Sequence, residues 1–131
     1  MVGAALSEPL GAPSVVDISD ASSTGTGGNG AGVIFSSTGS FYKYFHGVPI
    51  ELSQWLSPAV NMDQYEIYAT QLSGSGSPSG TFGAWTSLAT TQEYLLVSGG
   101  GTETAVVQIE IRWTGNNEVQ GTATYSLSST A

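Results

Sequence analysis

Residues 105–113, AVVQIEIRW, place Val107, Ile109, Ile111 and Trp113 on one side of an extended chain and Val106, Gln108, Glu110 and Arg112 on the other. TGNNE comes next, and then Val119, Gly121, Ala123, Tyr125 and Leu127 alternate with Gln120, Thr122, Thr124 and Ser126. Two period-two runs around an Asn/Gly turn are a β-hairpin with one apolar and one polar face. Trp113 falls on the apolar face and is assigned to the core.

Further strand candidates are SVVDIS (14–19), GVIFSS (32–37), SFYKYFH (40–46), YEIYATQL (65–72) and EYLLVS (93–98). ELSQWLS, between Pro49 and Pro58, fits either a short helix or an irregular strand. Sustained 3.6-residue periodicity is scarce, and short strands between turn signals point to an all-β fold. Composition agrees: 18 glycines and only 9% charged residues leave Ser, Thr, Asn and Gln to make the polar surface. The expected architecture is an immunoglobulin-like antiparallel β-sandwich over residues 21–131, preceded by an extended N-terminal arm, residues 1–20.

Two glycine-rich runs bear on that division. SGSGSPSG (73–80) lies between YEIYATQL and the aromatic pair Phe82 and Trp85. About 45 residues remain after Trp85, too few for a second ordinary domain, so the run is read as a long hairpin loop and not a tether. GTGGNG (25–30) matches the dinucleotide-binding pattern letter for letter. That motif needs a helix to begin there and present its amides to a pyrophosphate. The next residues are the strand-like AGVIFSS, so the run is read as a mobile loop, and no cofactor is expected.

Ten acidic residues face two basic ones, Lys43 and Arg112, for a net charge of −8. Holding a phosphate backbone needs clustered Lys and Arg, so no nucleic-acid partner is expected. No apolar run approaches the roughly 18 residues of a spanning helix, so no membrane insertion is expected. The sequence has no cysteine and therefore no disulfide or thiolate metal site. MVGAALSEPLGAP has no basic start, and Glu8 and Pro9 interrupt its apolar run, unlike a secretory signal.

Catalytic constellations are sparse. The single histidine, His46, has no G-x-S-x-G elbow to serve and no second histidine for zinc. Glu66 and Glu110 could form a glycosidase pair if a cleft brought them together, but each sits on the polar side of its strand. Asp17 and Asp20 lack the ligand spacing of a calcium loop. No catalytic, cofactor or metal residue is assigned, and a non-enzymatic role is expected.

Aromatic side chains are more informative. Phe41, Tyr42, Tyr44, Phe45, Trp55, Tyr65, Tyr68, Trp85, Tyr94, Trp113 and Tyr125 are too many for one thin sandwich to hide. Alternation places Phe41 and Phe45 on one face and Tyr42 and Tyr44 on the other. One set belongs to the core, and the other suits a contact surface, where tyrosine is enriched. Tyr42, Tyr44 and Tyr68 are thus interface candidates, with sugar stacking as the alternative. The apolar stretch VGAALSEPLGAPSVV suits an arm that clamps a neighbouring subunit through Val15 and Val16.

The order YEIYATQLSGSGSPSGTFGAWTSL, EYLLV, VVQIEIRW and TATYSLSS resembles a small β module of tailed-bacteriophage virion proteins. Such modules run Tyr-Glu-(Val/Ile)-Arg, a Ser/Gly/Pro loop, Gly-x-Trp with a nearby Leu, and then an Ile-Arg strand. Tyr65, Glu66 and Ile67 match, as do Trp85, Leu88, Ile109, Glu110, Ile111 and Arg112. Tyr68 departs from the pattern, standing where arginine is common. AGVIFSSTGSFYKY is similar to the module's earlier strands, so the resemblance covers roughly residues 30–131. It implies a structural virion protein, made in the host bacterial cytoplasm. Its place would be a tail tip or fibre attachment, or else capsid decoration. Its partners would be other virion proteins and further copies of itself, with a glycan partner as the alternative.

Overall fold

The computed structural model describes residues 18–36, 40–45, 48–55 and 64–131. Among them the chain forms nine strands: β1 (Ala21–Gly25), β2 (Ala31–Phe35), β3 (Ser40–Phe45), β4 (Val48–Trp55), β5 (Tyr65–Ser73), β6 (Thr86–Ser87), β7 (Gln92–Leu96), β8 (Thr102–Trp113) and β9 (Val119–Thr130). One sheet runs β1-β9-β8-β5-β6 and the other β4-β3-β2-β7, and together they form a β-sandwich. Every neighbouring pair is antiparallel except β1 and β9, which run parallel.

The β8–β9 hairpin carries the apolar alternation into the core. Val107, Ile109 and Ile111 of β8 and Ala123, Tyr125 and Leu127 of β9 are buried with Tyr65 and Ile67 of β5. Across from them lie Val33, Phe35, Phe41, Tyr94 and Leu96 of the second sheet. Phe35 sits edge-on to Phe41 and Tyr125, with ring centres 4.7 and 5.6 Å away. Contacts of this kind add about 0.5–1.5 kcal/mol each beyond the area they bury. Trp113 is buried at the end of β8 as expected. The turn after it uses Asn117, not Gly115, for the left-handed residue (φ 59°).

Of SVVDIS, residues 14–17 lie outside the described residues and Ile18 and Ser19 are not in a strand; the first strand among the described residues begins at Ala21. Ile18 nonetheless packs against the core, so the core draws in part of the stretch assigned to the arm. For ELSQWLS the irregular-strand alternative holds over the part within the described residues: ELSQW belongs to β4, paired with β3 across a register shift.

Both glycine-rich runs are tied down. The loop between β5 and β6 donates from the Gly76 amide to the Thr104 carbonyl of β8 at 2.8 Å. Farther along it exchanges two backbone hydrogen bonds between Ser79 and Leu95 of β7, at 2.7 and 3.3 Å. It therefore clasps both sheets and covers the outer edge of β7. Residues 26–30 carry the chain from β1 in one sheet to β2 in the other. The Gly28 amide donates to the Thr130 carbonyl at 2.9 Å, and Asn29 to Thr26 at 3.2 Å. This is an anchored crossover turn and not the mobile loop expected, and the strand after it offers no helix N-terminus to a phosphate.

Candidate interaction surfaces

The β3–β4 hairpin has two faces with different fates. On the inner face Phe41 enters the core, and the next positions along that face are Lys43 and Phe45. Their register partners in β4 are Ile50 and Val48. Among the described residues the five-stranded sheet ends at β1, which lies across β2 and β3, so β4 extends past it. The consequence is an apolar end left in solvent: Phe45 is 52% exposed, Val48 59% and Ile50 40%. These three make up half of the large exposed hydrophobic side chains of the described residues. Isolated exposed apolar residues are ordinary, whereas a contiguous group on one element marks an interaction site. Pro49 lies among them and removes an N–H from β4, so the face is better suited to a partner than the β4 edge.

On the outer face of the same hairpin, Tyr44 lies over Gly32 of β2. A Cβ on Gly32 would come within 3.0 Å of the tyrosine ring. The Tyr44 hydroxyl donates to the Glu93 carboxylate of β7. Burial, then that hydrogen bond and the charge of Glu93, push the Tyr44 hydroxyl well above the usual tyrosine range. With 7% of its surface exposed, Tyr44 braces the sheet and offers little to a partner. Tyr42 pairs with Ile34 on one side and Glu51 on the other and is half-buried, so it keeps an accessible edge.

A second cluster lies on the outer face of the five-stranded sheet. Arg112 of β8 donates from Nε and NH2 to one oxygen of Glu66 on β5, at 3.0 and 2.9 Å. Its guanidinium carbon stands 3.9 Å above the centre of the Trp85 ring. Trp85 in turn meets Tyr68 with ring centres 5.3 Å apart. Tyr68 is half-buried and is the register partner of Glu110. Glu66 and Glu110 thus share an open sheet face, with Glu66 engaged by Arg112 and no pocket among the described residues enclosing them.

Of the five interface candidates, the structure leaves Tyr42 and Tyr68 partly accessible, on different sheets, and buries Tyr44. Val15 and Val16 lie outside the described residues, as do Asp17 and His46. Asp20 accepts a hydrogen bond from the Thr124 amide at 2.7 Å, which fixes β1 against β9. Sequence reasoning missed Val48 and Ile50, whose signal is the apolar sequence FHGVPI around a glycine. Among the described residues no group of His, Cys, Asp and Glu could hold a metal ion, and no helix is long and apolar enough to cross a membrane. The chain matches no known family model, no curated protein and no solved structure.

Proposed function

We propose that the chain is a non-enzymatic structural protein of a tailed-bacteriophage virion, working as a tail-tip or fibre-attachment component through protein–protein assembly. Capsid decoration is the neighbouring reading. The virion assignment rests on the sequence resemblance over residues 30–131, and an immunoglobulin-like strand order belongs to the same reading. The observation that favours assembly is the uncovered apolar end of β3–β4, with Val48 and Ile50 at its centre. A partner that covers it should bury more than about 1,000 Å² in total. Sedimentation velocity on the wild type and on Ile50→Asp tests this. Assembly that the substitution abolishes, with the unfolding transition unchanged, supports the reading. Assembly indifferent to Ile50→Asp and Val48→Asp removes this face from it. For the virion assignment, the chain should be found by mass spectrometry among the polypeptides of purified particles, and its absence there overturns that part.

A second reading, a glycan-binding module, is favoured by Tyr68 and Trp85 standing beside Glu110 on an open polar sheet face. Aromatic rings stack on the C–H faces of sugars while carboxylates and amides take their hydroxyls. Binding on a glycan array that is lost in Trp85→Ala would favour it over assembly. Silence across the array, with self-association intact, would dismiss it.

A further inference from the structure

The two ends of the sandwich differ in chemistry. β1 passes to β2 and β7 to β8 at one of them, the crossover end, while β8 turns into β9 at the other, the turn end. Of the six large hydrophobic side chains exposed among the described residues, five lie toward the crossover end. Phe45, Val48 and Ile50 surround the β3–β4 tip, Leu72 is near the close of β5, and Val97 follows β7. The sixth, Val119, opens β9 at the turn end. Charge runs the opposite way. Asp20, Glu66, Glu93 and Glu118 each stand within one residue of a strand's limit at the turn end, and among the described residues only Glu103 does so at the crossover end. Lys43 sits within the β3–β4 patch as the register partner of Ile50 and carries one of the chain's two positive charges. The other is that of Arg112, which Glu66 neutralises, and no carboxylate among the described residues pairs with Lys43.

We infer that the β3–β4 patch receives the β8–β9 turn of a second copy, with Val119 covering Val48 and Ile50 and the Glu118 carboxylate meeting the Lys43 amine. This rests on the assembly reading above and names its occupant. Charge selects it. A chain of net charge −8 repels its own copies unless the contact offsets that repulsion. Two turn ends brought together would oppose carboxylates, and two patches would oppose lysines. A turn on a patch instead sets a carboxylate against an amine that has none, and complementary charge of this kind fixes the register of a contact. The turn also supplies the apolar part, since Val119 is 46% exposed next to an exposed Glu118. Its backbone is held ready: the Asn117 amide donates to the Trp113 carbonyl at 2.8 Å, and the Glu118 amide to Oδ1 of Asn116 at 2.9 Å. Docking a turn already ordered in this way loses little conformational freedom. The Glu118 carboxylate accepts the exposed Asn116 side-chain amide at 3.2 Å and stays within reach of a lysine. A contact between unlike ends is head-to-tail, so it repeats at every copy and either closes into a ring or runs on as a filament.

The test is complementation between two variants of the 131-residue chain, read by light scattering. Ile50→Asp blocks the patch and leaves the turn intact, and Val119→Asp does the reverse. The expected result is that the wild type assembles and that each variant alone runs at the 13.4 kDa monomer mass. Their equimolar mixture should stop at pairs of about twice that mass, because each pair has one intact patch and one intact turn to join. Unchanged circular dichroism verifies folding, and Ile50→Ser with Val119→Ser provides a milder set should either aspartate variant misfold. Charge reversal then reads the proposed ion pair. Lys43→Glu should raise the concentration needed for assembly by about fivefold or more, the scale of an exposed pair, and adding Glu118→Lys in the same chain should restore it. Failure of that second change to restore assembly overturns the pairing of these two residues. If Val119→Asp assembles like the wild type, or the mixture stays monomeric, the turn is not the occupant, although the assembly reading survives. A wild type that is monomeric at every concentration overturns both.

Discussion

Ser129 of β9 donates its hydroxyl to the Asn29 carbonyl at 2.8 Å and accepts the Ser98 amide at 3.2 Å. One buried side chain thereby joins the five-stranded sheet, the end of β7 and the turn between β1 and β2. Replacing it with alanine leaves the buried Ser98 amide without its acceptor and removes a donor from the part-buried Asn29 carbonyl. Ser129→Ala should cost about 1–3 kcal/mol, the penalty for leaving buried polar groups unpaired. Chemical denaturation measures the loss, and faster hydrogen exchange at the Ser98 amide locates it.

The loop after β5 is a clasp, and glycine is required where it leaves the strand. Gly74 has φ 112°, and a Cβ there would lie 2.2 Å from the Thr104 carbonyl oxygen. Gly74→Ala should therefore destabilise by at least about 1–3 kcal/mol, the cost of the strained backbone before the clash is counted. Ser77→Ala, an exposed position in the same run, should change stability by no more than about 0.5 kcal/mol. A flexible tether would tolerate both, so paired thermal melts separate the two descriptions.

Tyr94 and Tyr125 are fully buried, and their hydroxyls have no hydrogen-bond partner among the described residues. Burial pushes the Tyr94 hydroxyl up to about 12. Thr86 offsets a little of that without completing a hydrogen bond. Tyr125 moves in the same direction, through burial first and then the charge of Asp20. Both are raised above the unfolded value of about 10. Their contribution to stability is therefore full below pH ~10 and is lost as pH climbs toward ~12. Tyr94→Phe and Tyr125→Phe should be nearly neutral at pH 7 and should flatten the alkaline limb in a pH series of unfolding free energies.

Arg112 combines a fork to Glu66 with stacking on Trp85, and lysine reproduces neither geometry. Because the pair is partly exposed, Arg112→Lys should cost no more than about 1 kcal/mol. That loss should shrink in high salt. The more specific readout is the indole side-chain NMR signal of Trp85, which should shift as the cation leaves its ring.

Legibility in the sequence depended on how much of each strand's identity is local. β8, β9 and β5 carry strict alternation with large apolar side chains, so their faces could be read directly. β1, ASSTG, has no large apolar residue. Its inward positions are Ser23 and Gly25, and Ser23 is fixed by accepting the Gly32 amide from β2 at 3.0 Å. No period in five small residues announces that contact, nor their parallel pairing with β9. The burial of Tyr44 was not legible for a related reason. Alternation gave its face correctly, but its burial depends on the bare backbone of Gly32 beneath it and Glu93 beside it, both distant in sequence. The exposed end of β3–β4 comes from the unequal widths of the two sheets, a property of topology that single strands do not encode.

The native mass of the purified 131-residue chain, measured by light scattering after size exclusion over a range of concentrations, tests the central claim most directly. The account predicts a defined multiple of 13.4 kDa, with a trimer pointing to fibre attachment or capsid decoration and a hexamer to a tail ring. A single 13.4 kDa species at every concentration would contradict it and bring the glycan-binding reading forward.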